Sequence, residues 1–175
     1  PVAAVLADWR WPPNRIALRW LLEEWPAVRG RIPSAELLLA GRGLEGMTSS
    51  DGVKVLGFVG RSSDVLAQAA AVAFPAPATS GPKVKILEAL ACGLPVVTTT
   101  AGVEGLVLPG GAGAVVAGRG RFAGELASLL TDPERRRSMA LQGRDAVLAA
   151  HAPRPAARAR TAVIDQAFSE PVGKT

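Results

Sequence analysis

Apolar positions along the chain fall into two alternating kinds of segment. Short apolar runs occur at Val2–Ala7 (VAAVLA), Glu36–Ala40 (ELLLA), Val53–Phe58 (VKVLGF), Ala71–Phe74 (AVAF), Pro95–Thr99 and Ala114–Val116. Runs of that length, apolar throughout, predict strands buried on both faces. Between them the spacing becomes helical. After a Trp9–Pro13 turn, Ala17, Leu18, Leu21, Leu22 and Trp25 form one apolar face of a helix that Asn14 is placed to cap. Pro33-Ser34 then breaks the chain before the second strand. Further helices are expected over Asp64–Ala70, from about Pro82 to Cys92, over Arg119–Leu130, over Pro133–Ala150 behind an Asp132 cap, and over Ala156–Phe168. Strands alternating with helices predict an α/β fold, a doubly wound parallel sheet covered on both faces.

Length and composition narrow the function classes. A chain of 175 residues suits one domain with a real core, and 49% hydrophobic content excludes disorder as its main state. A single cysteine excludes an internal disulfide framework and a cysteine-based zinc site. One His and six Asp leave almost nothing for a metal centre or a Ser-His-Asp triad, so no metal ligands are expected. His151 and Cys92 are read as structural, and Trp20 and Trp25 as core. No apolar run approaches the ~18 residues of a membrane span, and no signal peptide is visible. A cytoplasmic chain is expected. It starts at Pro1, inside an apolar stretch, and so reads as a piece of a longer protein.

Charge adds a second indication. The net charge is +5 and the pI about 10.3, with arginines thickening towards the end from Arg135 onwards. That balance suits phosphate-bearing ligands or an anionic membrane surface, or else a solvated helical face. Nucleic acid is not expected, because all four Trp lie within the first 25 residues, away from the basic end.

Two glycine patterns fail on context. Gly41-Arg42-Gly43-Leu44-Glu45-Gly46 matches G-x-G-x-x-G, but turn residues Met47–Gly52 and another strand follow it instead of a helix. The terminal Gly173-Lys174-Thr175 would need glycine at position 168, which is Phe168.

The informative run is Ser80-Gly81-Pro82-Lys83-Val84-Lys85-Ile86-Leu87-Glu88-Ala89-Leu90-Ala91-Cys92-Gly93-Leu94-Pro95-Val96-Val97. Pro82 suits a first helical position with Ser80 or Gly81 as cap, and Gly93 suits a left-handed stop. Past Glu88 the helix is apolar all round, which predicts a buried body. Its charged residues Lys83, Lys85 and Glu88 sit in the first two turns. In a parallel sheet that end lies at the carboxyl edge of the strands, where helix N–H groups and two lysines favour an anion. A diphosphate there, with Glu88 reaching ribose hydroxyls, would use each of these groups. A capped surface helix with an i,i+3 Lys–Glu pair would also account for them.

This run, with Thr98-Thr99-Thr100-Ala101-Gly102-Val103-Glu104-Gly105, resembles the nucleotide-sugar signature of retaining GT-B glycosyltransferases of the group 1, family 4 type. Matching positions are Gly81, Lys83, Lys85, Leu87, Glu88, Ala89, Ala91, Gly93, Pro95, Val96 and Val97. Asp8-Trp9, Pro13-Asn14, Glu24-Trp25-Pro26, Leu39-Ala40-Gly41 and Val55–Val59 follow the same family's order, so the similarity spans at least residues 2 to 108. The resemblance implies the C-terminal, Rossmann-like donor half of a GT-B enzyme in residues 1–175. Terminal helices from about 133 to 170 would pack on it, opposite an N-terminal acceptor domain. It implies that Glu88, the second Glu of a Glu-x7-Glu motif, holds the ribose, and that Gly57 and Phe58 sit near the base. Position 80, where the family has its first Glu, is Ser80. Arg10 or Arg15 would stand in for the family's basic pair.

The expected function is retaining glycosyl transfer from a nucleoside-diphosphate sugar, with no cofactor. Lys85 would stabilise the departing diphosphate beside Gly81, Pro82 and Lys83. The isolated domain would bind nucleotide without catalysing. Alternatives from other classes are a nucleotide-sugar epimerase, or a non-catalytic module docking a partner or membrane through its basic end.

Overall fold

The computed structural model describes residues 1–78 and 83–152. Among them, six strands form one sheet: β1 (Val2–Leu6), β2 (Glu36–Ala40), β3 (Val53–Gly57), β4 (Ala71–Phe74), β5 (Val96–Thr98) and β6 (Ala114–Val116). The helices are α1 (Pro12–Arg31), α2 (Ser62–Leu66), α3 (Val84–Ala91), α4 (Thr100–Val103), α5 (Phe122–Thr131) and α6 (Pro133–Ala150). The strand order is β3-β2-β1-β4-β5-β6, and every pairing is parallel, with Val5 opposite Leu39 and Ala73 opposite Val97. This is the doubly wound α/β arrangement expected from the alternating segments.

The period-two geometry of a strand sends successive side chains to opposite faces. Ala3, Val5, Leu37 and Leu39 are buried on the face that also takes Leu21, Trp25 and Val28 of α1 and Phe122, Leu126 and Leu129 of α5. Ala4, Leu38 and Ala40 are buried on the other face, against Val65 of α2. Because both faces are covered, these strands carry no polar alternation. α6 packs on α3 and α5.

Several element ends differ from the sequence reading. Trp11 takes the cap position of α1, with Pro12 and Pro13 opening the helix, so Asn14 lies inside its first turn. The helix then runs through Pro26 to Arg31, up to the Pro33-Ser34 break that the sequence indicates, with Trp25 and Val28 buried on either side of Pro26. α2 is shorter than expected because its exit tightens into i→i−3 bonds from Gln68 to Val65 and from Ala69 to Leu66. α4 and a 3-10 turn at Pro109–Gly111 carry no hydrophobic period and were not expected. α6 matches its expected bounds, and the Asp132 carboxylate accepts from the Arg135 N–H as its cap. The expected helix over Ala156–Phe168 lies outside the described residues.

Aromatic residues and basic residues also find definite places. Trp9 and Trp25 are core residues, whereas Trp20 is only half-buried against Phe122, and Trp11 is exposed. Arg136 donates to the Leu129 and Leu130 carbonyls at the end of α5, Arg135 pairs with Glu125, and Arg137 with Glu134. These three arginines are therefore engaged within the fold. His151 closes α6, and its Nε2 accepts from the Val107 N–H at 2.9 Å, which is a structural role. Cys92 is exposed at the end of α3. Among the described residues no helix is long and apolar enough to cross a membrane.

Candidate functional site

Chain connections leave β1 and β4 in opposite directions along the sheet, to β2 on one side and β5 on the other. The carboxyl ends of these two neighbours therefore open a crevice at the topological switch point, where α/β proteins bind ligands. Around it stand the loop after β1, Phe74 at the end of β4, and the first turns of α1, α2 and α3.

The start of α3 supplies three charged groups, Lys83, Lys85 and Glu88. Lys83 is the cap residue and is buried, its carbonyl accepting from Ile86, so the helix opens at Val84, later than the expected Pro82. Ser80, Gly81 and Pro82 lie outside the described residues. Lys85 sends its ammonium back to the switch point. There Nζ donates to Oδ1 of Asn14 at 2.9 Å and lies 4.1 Å from the centre of the Phe74 ring. Burial, with the like charge of Lys83 adding to it, pushes this ammonium from its ordinary 10.5 down to about 8. Glu88, one turn further along the same face, accepts a hydrogen bond from the Ser62 hydroxyl at the start of α2. Lys85 and Glu88 thus take separate partners instead of pairing across the turn, and both line a small cavity with Leu6, Leu66 and Val72.

The far end of α3 follows the expected stop. Gly93 has φ +73°, the left-handed conformation that costs glycine least, and Leu94 N donates to Ala89 O while Gly93 N donates to Leu90 O. Ala89 and Leu90 are buried as expected, but Ala91 and Cys92 face solvent, because the apolar stretch after Glu88 reaches the surface before it ends.

Beside Glu88 runs a cleft of about 300 Å³ lined by Ala7, Gly41, Arg42, Phe58, Val59 and Ser62, among others. Phe58 is 65% exposed, and the Arg42 guanidinium lies over its ring at 4.6 Å. Gly57 ends β3 and accepts from the Gly41 N–H at 2.7 Å. Gly41 takes φ +124°, and an added Cβ would stand 1.8 Å from the Ala7 carbonyl oxygen. The glycine pattern at 41–46 therefore serves close approach between two loops, and no helix follows it, as the sequence indicated.

Arg10 lies on the loop after β1 with its guanidinium committed to Asp8, Nε at 2.8 Å from Oδ1 and Nη2 at 2.5 Å from Oδ2. That hydrogen bonding holds the Asp8 carboxyl down at about 2. The structure joins Arg10 to Asp8 and not to the groups around Lys85. Arg15 lines a separate cleft of about 470 Å³ with Trp9, Arg19 and Met47. Sequence reading missed Asn14, Ser62 and Arg42 as members of the site. Asn14 carries only a helix-cap signal, Arg42 sits in a glycine pattern that no helix follows, and Ser62 lies 26 residues from Glu88 with no local signal. Among the described residues no group of three or more His, Cys, Asp or Glu side chains gathers to hold a metal ion.

Residues 2–132 match the family described as glycosyl transferases group 1. No curated protein matches the sequence. Solved structures do. A mutant of S. aureus TarM crystallised with fondaparinux, alpha-GlcNAc-glycerol and UDP superposes with TM-score 0.71 at 15% identity, covering 84% of this chain and 32% of that one. WaaG, a glycosyltransferase involved in lipopolysaccharide biosynthesis, gives 0.68 at 19% identity over 93% of this chain and 46% of that one. Anabaena HepE in complex with UDP gives 0.69 at 20% identity over 93% and 48%. The chain therefore spans about a third to a half of these GT-B structures, and at such identities what it shares with them is the fold.

Proposed function

This chain belongs to the group 1 glycosyl transferases, and from that premise we propose that the switch-point crevice binds the nucleoside-diphosphate part of a sugar donor for retaining glycosyl transfer. One observation carries the reading. A cation and a carboxylate, Lys85 and Glu88, stand one turn apart at the mouth of α3, each held by a residue from another helix.

The roles follow from charge and reach. Breaking the glycosidic bond of the donor leaves negative charge on the diphosphate, so groups that stabilise that charge lower the barrier. The Lys85 ammonium is placed for this, with Lys83 and the N–H groups opening α3 adding to the field, Gly81 and Pro82 leading into them. Glu88 accepts from ribose hydroxyls and so positions the donor. Phe58 gives the base an apolar wall, with Gly57 at the strand end leaving room for close approach. Ser80 is assigned to the sugar end and Arg10 to the outer loop. In this reading no cofactor is needed. UDP is the first nucleotide to test, since the TarM and HepE structures contain it.

The reading also makes residues 1–175 a donor-binding half, with the acceptor bound by a separate domain, so this chain alone binds nucleotide and does not turn over. Calorimetric titration with UDP, GDP, ADP and TDP, with Glu88→Ala alongside, tests it. Binding of one nucleotide, weakened about tenfold in the variant, is expected for a lost hydrogen bond to a charged group. Binding of none, or equal binding by the variant, refutes it.

A further inference from the structure

We infer that Asn14 is a positioning residue that holds the Lys85 ammonium over the switch-point crevice without discharging it. The inference rests on the donor-site reading for its purpose, but not for its geometry.

Asn14 sits in the first turn of α1 and is 7% exposed. Both ends of its amide are used: Nδ2 donates to the Asp8 carbonyl at 2.8 Å, and Oδ1 accepts from Lys85 Nζ at 2.9 Å. The partners themselves dictate this orientation, because an ammonium can only donate and a carbonyl can only accept. One side chain thereby ties the loop after β1 to a lysine 71 residues away on α3. Packing does not account for the choice. Asparagine is a poor helix former, and its neighbours on the buried face of α1 are Ala17 and Leu21. A buried amide there has to be satisfied, and what satisfies it is the pair of groups it links.

The neutrality of the amide matters to the chemistry. A four-carbon lysine stem samples many rotamers, so a bare Lys85 would lose ordering entropy each time it met an anion. Asn14 below and the Phe74 ring alongside remove that freedom in advance. A carboxylate at position 14 would fix the stem equally well but would cancel the charge. The other charged groups near the ammonium leave it available. Lys83 repels it, Glu88 is engaged by Ser62, and the Asp8 carboxylate is engaged by Arg10.

The chain has four lysines, at 54, 83, 85 and 174, so a lysine-labelled NMR titration resolves Lys85 individually. In the ligand-free chain its midpoint is expected near 8. Asn14→Ala removes an acceptor that favours the charged form and moves the midpoint down. Asn14→Asp moves it up, and Lys54 stays where it was in both. UDP affinity falls about tenfold in Asn14→Ala, and no further when the same change is made on a Lys85→Met background. Should Asn14→Ala fail to fold, the upward shift in Asn14→Asp remains the readout. An unmoved Lys85 midpoint in the folded variants overturns the inference. Shifted midpoints in a chain that binds no nucleotide instead uphold the hold on Lys85 and reject the donor-site reading.

Discussion

Replacing Lys85 by Met is expected to make the fold more stable while removing diphosphate binding. Holding the ammonium at about 8 instead of 10.5 means the folded chain disfavours the charge by on the order of 3 kcal/mol. Met has similar length and sets a thioether against the Phe74 ring in place of the ammonium. Against this, Asn14 Oδ1 loses its donor, which costs about 1–2 kcal/mol, and the part of Lys85 that reaches solvent trims the gain further. The net is a stabilisation of about 1 kcal/mol at pH 7, or a Tm higher by about 2–4 °C for a chain of this size. The pH dependence is the sharper signature. Between about 8 and 10.5 the unfolded chain binds the lysine proton and the folded chain does not, so wild-type stability rises with pH through that window. The Met variant has no such gain, and its advantage must shrink and then reverse as pH climbs. Urea unfolding of both proteins at pH 7, 9 and 10 measures this. A variant less stable at pH 7, with a difference that does not change with pH, would show that the ammonium is not held at a cost, and the reasoning would be wrong.

Two other perturbations separate the site from its scaffold. Ser62→Ala releases the Glu88 carboxylate at the surface, so nucleotide affinity by calorimetry should fall several-fold while the urea midpoint barely moves, since the bond is exposed. Gly41→Ala should lower stability by about 3 kcal/mol or more, read as the Tm, because its Cβ meets the Ala7 carbonyl at 1.8 Å and φ +124° is strained for any side chain; a Tm within a degree of wild type would show that the two loops separate freely.

Much of the fold could be read from the residues because its signals are local. The bounds of β2, β4 and α6 follow from apolar runs with clear punctuation, Pro33-Ser34 before one strand and Asp132-Pro133 before α6. Where a local rule competed with packing, packing won. Pro26 stops nothing because Trp25 and Val28 anchor the helix on both sides of it, and α2 ends early because the chain must turn into β4. α4 is too short to show a period.

For the site, the division falls differently. Lys83, Lys85 and Glu88 stand out in the sequence because a helix start announces itself within a few residues, whereas Gly57 and Phe58 are marked only by the family resemblance. That run, with the family it belongs to, was determined by the sequence alone. What the tertiary structure decided is who holds whom: Asn14 under Lys85 across 71 residues, Ser62 on Glu88 across 26, and Arg42 over Phe58. Strand order made those choices, bringing β1 beside β4 for the Asn14–Lys85 contact and β2 beside β3 for Arg42 over Phe58. Nothing in the local pattern encodes it, since the sense in which a parallel strand joins the sheet depends on which neighbours bury its two faces.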